Sequence, residues 1–126
     1  MRDRALIAVV DDDESVRESL PALLSELGHE AVAYASAVEY LGSDQLAETN
    51  CLLLDLAMPG MSGTDLQKEL IRQNMNIPII FITAHGDDRT CGHLRALGAV
   101  DCLLKPFTEL RLIEALNSAL GSRLQT

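Results

Sequence analysis

Five short apolar runs, separated by segments with helical spacing, limit the folds that this chain can adopt. Three of the runs are apolar at almost every position, which is typical of strands that are covered on both faces, as in a parallel sheet. The runs are LIAVV (6–10), EAVAYA (30–35), CLLLDL (51–56), IPIIFIT (77–83) and DCLLK (101–105). We therefore predict five strands in a parallel sheet.

The segments between the runs carry apolar residues three and four positions apart, which places them on one face of a helix. Gly28 and Gly98 are expected helix stops, Ser36 with Glu39 forms a predicted capping box, and Thr108 is the expected cap of the last helix. Strands that alternate with helices indicate an α/β fold with right-handed crossovers, a doubly wound sheet with five helices. The apolar helix positions are Val16, Leu20, Leu23, Leu24 and Leu27, then Leu66 and Leu70, Leu94 and Leu97, and Leu112, Leu116 and Leu120.

Length and composition indicate one soluble domain. The chain has 126 residues, close to the commonest size of a single domain, and no linker or repeat divides 1–126. Its formal net charge of −9 disfavours binding to nucleic acid or to anionic lipid. No signal peptide is evident, and no run approaches the roughly 18 apolar residues of a membrane helix. We expect a cytoplasmic protein.

The cysteines do not suggest a disulfide framework or a zinc site. There are three of them, Cys51, Cys91 and Cys102, and no pair has Cys-x-x-Cys spacing. Cys51 and Cys102 lie in apolar runs and are expected to be small buried hydrophobic residues.

Polar residues follow four of the predicted strands. Strand one ends in Asp11-Asp12-Asp13, strand three in Asp55, strand four in Thr83 and strand five in Lys105. In open α/β sheets the ligand site lies beyond the carboxyl ends of the strands. Clustered carboxylates need a cation, and oxygen ligands with open positions suit Mg²⁺. An aspartate beside such an ion can accept a phosphoryl group, whose oxygens a lysine and a hydroxyl can contact. Each residue alone is weak support, and the prediction depends on the whole set.

With this set in place, the sequence resembles the receiver domain of two-component response regulators. The matching stretches are VVDDDESVR (9–17), LLLDLAMPGMSG (52–63), FITAHGD (81–87) and LLKPF (103–107). MPGMSG and TAHGD are most similar to the FixJ-type branch of this family. The resemblance covers almost the whole chain and implies a flavodoxin-like sheet with strand order 2-1-3-4-5.

The resemblance also implies a metal site. Asp12 would be a direct ligand of Mg²⁺, and Asp11 would act through the metal or its waters. Asp55 and the backbone carbonyl of Ala57 would complete the ligands that the protein supplies.

The phosphoryl site is implied in the same way. Asp55 would be the phosphoacceptor, Thr83 the switch hydroxyl, and Lys105 a contact of the phosphoryl group. The bond between Lys105 and Pro106 would be cis, although only about one X-Pro bond in twenty is cis in folded proteins.

Two features set this chain apart from the family pattern. Family members usually carry Tyr or Phe three residues before the conserved lysine, a ring that moves with the switch threonine, whereas this chain has Cys102. A thiol fills less volume than an aromatic ring, so the way in which the signal reaches the surface could differ. We favour the interpretation that Cys102 is a tolerated small residue over a redox role. Beside the acceptor, Ala57 and His85 occupy positions that tune phosphoryl lifetime in the family.

The predicted function is a phosphorylation switch that takes a phosphoryl group from a histidine kinase. It helps catalyse its own modification and is not a turnover enzyme. Phosphorylation would change a face made by the fourth helix, fifth strand and fifth helix, where Leu94, Leu97 and Leu104 straddle core and surface. That face could form a homodimer. The output domain, a transcriptional one in the FixJ-type branch, would lie outside this sequence.

The alternatives to this function are a hydrolase, a dinucleotide-binding domain and an interaction module. Aspartyl-phosphate hydrolases usually carry a second Asp two residues after the nucleophile, where this chain has Ala57. A dinucleotide-binding domain would need Gly-x-Gly-x-x-Gly after strand one, which is absent. The more serious alternative is a receiver-like interaction module without a phosphorylation cycle. Trapping with beryllofluoride would distinguish such a module from a phosphorylation switch.

Overall fold

A computed structural model of the protein describes residues 4–84 and 88–124. The strands are β1 (Leu6–Val10), β2 (Glu30–Tyr34), β3 (Cys51–Asp55), β4 (Ile79–Thr83) and β5 (Asp101–Leu104). They form one parallel sheet in the order β2-β1-β3-β4-β5, which confirms the predicted topology. Every residue of β1, β3 and β4 is buried, as their continuous apolar character predicts.

The helices are α1 (Glu14–Glu26), α2 (Ala37–Leu41), α3 (Gly63–Arg72), α4 (Asp88–Ala96) and α5 (Glu109–Leu124). A short 3-10 helix covers Leu46–Glu48. Among the described residues, no helix has the length and apolar character needed to cross a membrane.

The predicted helix ends are largely confirmed. Gly28 and Gly98 have φ values of 95° and 113°, which favour glycine. Thr108 accepts a hydrogen bond from the backbone N–H of Arg111. The predicted capping box at Ser36 is only half formed, because the Glu39 carboxylate accepts from the N–H of Ala35 and not from that of Ser36.

The core consists of two apolar layers, one on each face of the sheet. Alternate strand residues point to opposite faces, so Ile7 and Val9 pack with α1 and α5, while Ala8 and Val10 pack with α2, α3 and α4. Because both faces of the sheet are buried, polar and apolar residues do not alternate along the central strands. This burial also leaves the carboxyl ends of the strands as the place where polar residues meet solvent.

Candidate functional site

The carboxyl ends of four strands bring the predicted polar residues to one edge of the sheet. Asp11 directly follows β1, Asp55 and Thr83 are the last residues of β3 and β4, and Lys105 directly follows β5. Asp11, Asp55 and Thr83 are buried, although they are polar. Parallel strands all end at the same side, so residues far apart in sequence become neighbours here.

Three carboxylates converge at this edge. One oxygen from each of Asp11, Asp12 and Asp55 lies within 4.8 Å of the other two. Backbone groups orient two of them: Asp11 Oδ1 accepts from the N–H of Asp13 at 2.9 Å, and Asp55 Oδ1 accepts from the N–H of Ala57 at 3.2 Å. The arrangement is therefore held by the turns that follow β1 and β3.

Lys105 supplies positive charge to this cluster. Its Nζ lies 3.2 Å from Asp11 Oδ2, and only 24% of the Lys105 side chain is exposed. Among the described residues, Lys105 is the ion-pair partner of this cluster of three acids, so negative charge remains in excess at the site.

The pKa of Asp55 reflects this excess. Burial and the neighbouring Asp11 carboxylate raise the pKa of Asp55 to about 7, against the opposing effects of the Ala57 N–H and of Lys105. Carboxyl, carbonyl and water oxygens are the donors that hard divalent cations prefer. The donor set therefore fits a cation such as Mg²⁺, which would favour the ionised form of Asp55.

The N-terminus of α3 packs directly against the end of β3, the strand that ends in Asp55. Gly63 donates its N–H to the carbonyl of Leu56 at 3.0 Å. A Cβ at position 63 would lie 2.5 Å from the backbone oxygen of Asp55 and 3.1 Å from the ring of Phe81. Glycine at this position thus lets the helix approach the strand that carries Asp55.

Comparison with known proteins decides the family. The model of the response regulator receiver domain matches residues 7–117. The chain belongs to this family. Receiver domains are signalling domains of two-component systems, whose partners are histidine kinases and output domains.

Relatives of this receiver domain include regulators of transcription. It is 47% identical over 116 residues to Nodulation protein W of Bradyrhizobium diazoefficiens, covering 92% of this chain and 51% of the relative. It is 37% identical over 115 residues to Transcriptional regulatory protein FixJ of Azorhizobium caulinodans, covering 91% and 54%. The crystal structure of FixJ-N superposes with a TM-score of 0.81 at 37% identity and covers 94% of each chain. The receiver domain spans about half the length of these curated relatives.

Several sequence predictions about the receiver site can now be compared with its geometry. Asp11, Asp12 and Asp55 meet as predicted, and the Lys105–Pro106 bond is cis as predicted. Their ligand and acceptor roles stay predictions, as do the role of Thr83 and that of the Ala57 carbonyl. His85 lies outside the described residues.

The sequence suggested no disulfide framework and a simple buried thiol at Cys102, but the structure contains one disulfide that involves Cys102. Cys51 is buried and free, as expected, and Cys102 is buried, but Cys102 is bonded to Cys91. The two Cα atoms are 5.4 Å apart because α4 packs on the sheet beside β5. The sequence carried one overlooked signal: Cys91 lies three residues before the buried Leu94, on the same face of α4.

Proposed function

We propose that this receiver domain accepts a phosphoryl group on Asp55 from the phosphohistidine of a histidine kinase. The observation that carries the proposal is the position of Asp55, at the end of a buried strand with Asp11 and Asp12 on one side and Lys105 nearby. A carboxylate so placed can act as a nucleophile, and the surrounding groups match the charge that develops during transfer.

Four protein groups would hold Mg²⁺ in this proposal: the carboxylates of Asp11, Asp12 and Asp55 and the backbone carbonyl of Ala57. When bound, the ion neutralises charge on phosphoryl oxygens. The mutual approach of the three acids, whose charge Lys105 offsets only in part, supports a divalent cation at this position.

The remaining steps belong to side chains of the receiver domain. An oxygen of Asp55 attacks phosphorus, the P–N bond to the donor imidazole breaks, and its electron pair stays on the imidazole nitrogen. The ammonium of Lys105 and the hydroxyl of Thr83 then contact phosphoryl oxygens. In this mechanism the pull on Thr83, the last residue of β4, starts the conformational change.

The output face in this proposal is formed by α4, β5 and α5. Leu97, Leu104 and Leu110 are exposed there, whereas Leu94 is buried in the core. Exposed leucines on these elements suit a surface that gains a partner after phosphorylation, including a second copy of the chain. Equal sedimentation of the phosphorylated and unphosphorylated forms at high concentration would count against a homodimer that forms on phosphorylation.

The wider role is inferred from the relatives. They are about twice as long as this chain, and one is named a transcriptional regulatory protein, which supports regulation of a transcriptional output domain in the cytoplasm. The net charge of −9 indicates that this segment itself does not bind DNA.

Intact mass spectrometry after incubation with acetyl phosphate tests the acceptor. The wild type should gain the mass of one phosphoryl group only when Mg²⁺ is present, and Asp55→Asn should gain none. Asp44→Asn, the same exchange at an exposed aspartate after α2, is the matched control and should behave as the wild type. Hydroxylamine should remove the added mass, since it attacks acyl phosphates and leaves phosphate esters intact.

A negative result would favour the alternative. If the wild type neither gains mass nor binds beryllofluoride with Mg²⁺, the domain is a receiver-shaped interaction module without a phosphorylation cycle.

A further inference from the structure

A disulfide joins two elements of the proposed output face. Cys91 lies in α4 and Cys102 in β5, and their Cα atoms are 5.4 Å apart, within the roughly 4.4–6.8 Å that a disulfide requires. The two positions are only 11 residues apart in sequence, so the bond closes a short loop that contains the connection from α4 to β5.

The pair lies close to the residue on which the switch depends. In the sheet, Cys102 of β5 is paired with Phe81 of β4, and Phe81 lies two residues before Thr83. Thr83 itself is paired with Leu104 of β5. The chain passes from Thr83 to α4, which begins at Asp88. A bond between α4 and β5 therefore restrains the element that follows Thr83 against the strand that lies beside it.

The pair lies beside a surface cavity, although both side chains are largely buried. A cavity of about 330 Å³ is lined by both cysteines, and by Arg95, Leu104 and Arg111 among others. Cys51 has no exposed surface at all, and burial raises the pKa of its thiol to about 12. Thiol chemistry in this chain should therefore be confined to Cys91 and Cys102.

We propose that Cys91 and Cys102 are a redox-active pair, and that their disulfide stabilises the unphosphorylated arrangement of α4 and so weakens phosphoryl binding. The first part stands on the geometry of the pair alone. The second part rests on the proposed function, since it requires that α4 and β5 move when Asp55 is modified. Disulfides in cytosolic proteins are usually transient or redox-sensing, which agrees with such a role.

The oxidant is a small-molecule disulfide such as oxidised glutathione. One protein thiol loses its proton, and the thiolate attacks a sulfur of the small disulfide, forming a mixed disulfide and releasing one small thiolate. The second protein thiolate then attacks the protein sulfur of the mixed disulfide, which closes the Cys91–Cys102 bond and releases the second small thiolate. Two electrons pass to the small disulfide, and the two protons end on the released thiols.

Counting thiols tests the redox activity without any phosphorylation. The protein is equilibrated with glutathione buffers, quenched with acid, unfolded and alkylated, and its mass is measured. Excess reduced glutathione should leave three alkylated thiols and excess oxidised glutathione only one, since the chain has three cysteines. Three thiols at both ends, or one at both ends, would overturn the proposal.

Beryllofluoride binding with Mg²⁺ tests the coupling. We expect the oxidised protein to bind beryllofluoride about fivefold more weakly than the reduced protein, the lower end of typical coupling between sites. Linkage requires that beryllofluoride makes the disulfide easier to reduce by the same factor. Equal affinity of the two forms would overturn the coupling, whereas absence of binding to both forms would count against the proposed function and leave the thiol count to stand.

Cysteine variants provide the controls. Cys91→Ser should bind beryllofluoride equally well in oxidising and reducing buffer, and Cys51→Ala should keep the difference. A redox effect that persists in Cys91→Ser would contradict the assignment to this pair. The reduced wild type retains every side chain, so a folding defect in a variant cannot decide the result.

Discussion

At the scale of single residues, the ion pairs around Asp101 show how the proposed output face is held together. Its carboxylate accepts from Arg95 at 2.9 Å and from Arg111 at 3.1 Å. Burial raises the pKa of Asp101, but the hydrogen bonds from Arg111 and Arg95 outweigh burial and leave it below its ordinary value. The charged form is therefore preferred in the folded protein.

Asp101→Asn should lower the free energy of unfolding by about 1 kcal/mol at neutral pH, because both arginines are partly exposed and such pairs are weak. A depressed folded-state pKa contributes stability above the unfolded pKa of about 3.9, and this contribution is lost as the pH falls. Urea unfolding of the variant and the wild type at pH 7 and at about pH 3 measures the stability difference at neutral pH and its loss in acid. A difference from the wild type that stays the same in acid would contradict this account, and Asp44→Asn serves as the control.

At the scale of elements, the contact between α3 and β3 depends on a missing side chain. A methyl group at position 63 would meet backbone atoms of Asp55 and Leu56, which cannot move aside without shifting the strand end. The capping box between Ser62 and Asp65 holds the first turn of α3 in place, so the helix cannot easily retreat.

Gly63→Ala should lower the free energy of unfolding by about 1–3 kcal/mol, the usual cost of overpacking. Gly92→Ala is the matched exchange in α4, where nothing lies within 4 Å of the added methyl, and it should raise stability by about 0.5–1 kcal/mol. Urea titrations of the two variants beside the wild type measure the contrast. Equal stability of Gly63→Ala and the wild type would show that the helix and strand can separate at no cost.

At the scale of the whole molecule, a metal ion bound at the acidic site would raise global stability. A ligand that binds only the folded state stabilises it by about 2.7 kcal/mol at a hundred times its Kd. The convergence of Asp11, Asp12 and Asp55 exists only in the folded chain, because β1 and β3 must pair to create it.

Thermal unfolding should therefore shift to higher temperature as Mg²⁺ is added and return on addition of a chelator. Asp12→Asn should need more Mg²⁺ for the same shift, because it replaces a negatively charged carboxylate of the site by a neutral amide. The control Asp44→Asn should respond to Mg²⁺ as the wild type does. A melting temperature that does not respond to Mg²⁺ would argue against a metal site formed by these acids.

The sequence by itself determined the type and order of the elements and the residues at the strand ends. Periodicity decides which face of a strand or helix is apolar, and caps such as Thr108 act within a few residues, so both can be predicted without a fold. The predicted strand order and the cis bond at Lys105–Pro106 came from the family resemblance and not from local pattern.

Only the tertiary structure decided which distant side chains touch. Lys105 meets Asp11 across 94 positions of sequence, and Cys91 meets Cys102 although three widely spaced cysteines suggested no bond. These contacts depend on how strands pair and how α4 docks on the sheet, which are set by the packing of the whole core. Local sequence encodes which face of an element is buried, but the partner of that face is chosen only when all the faces pack together.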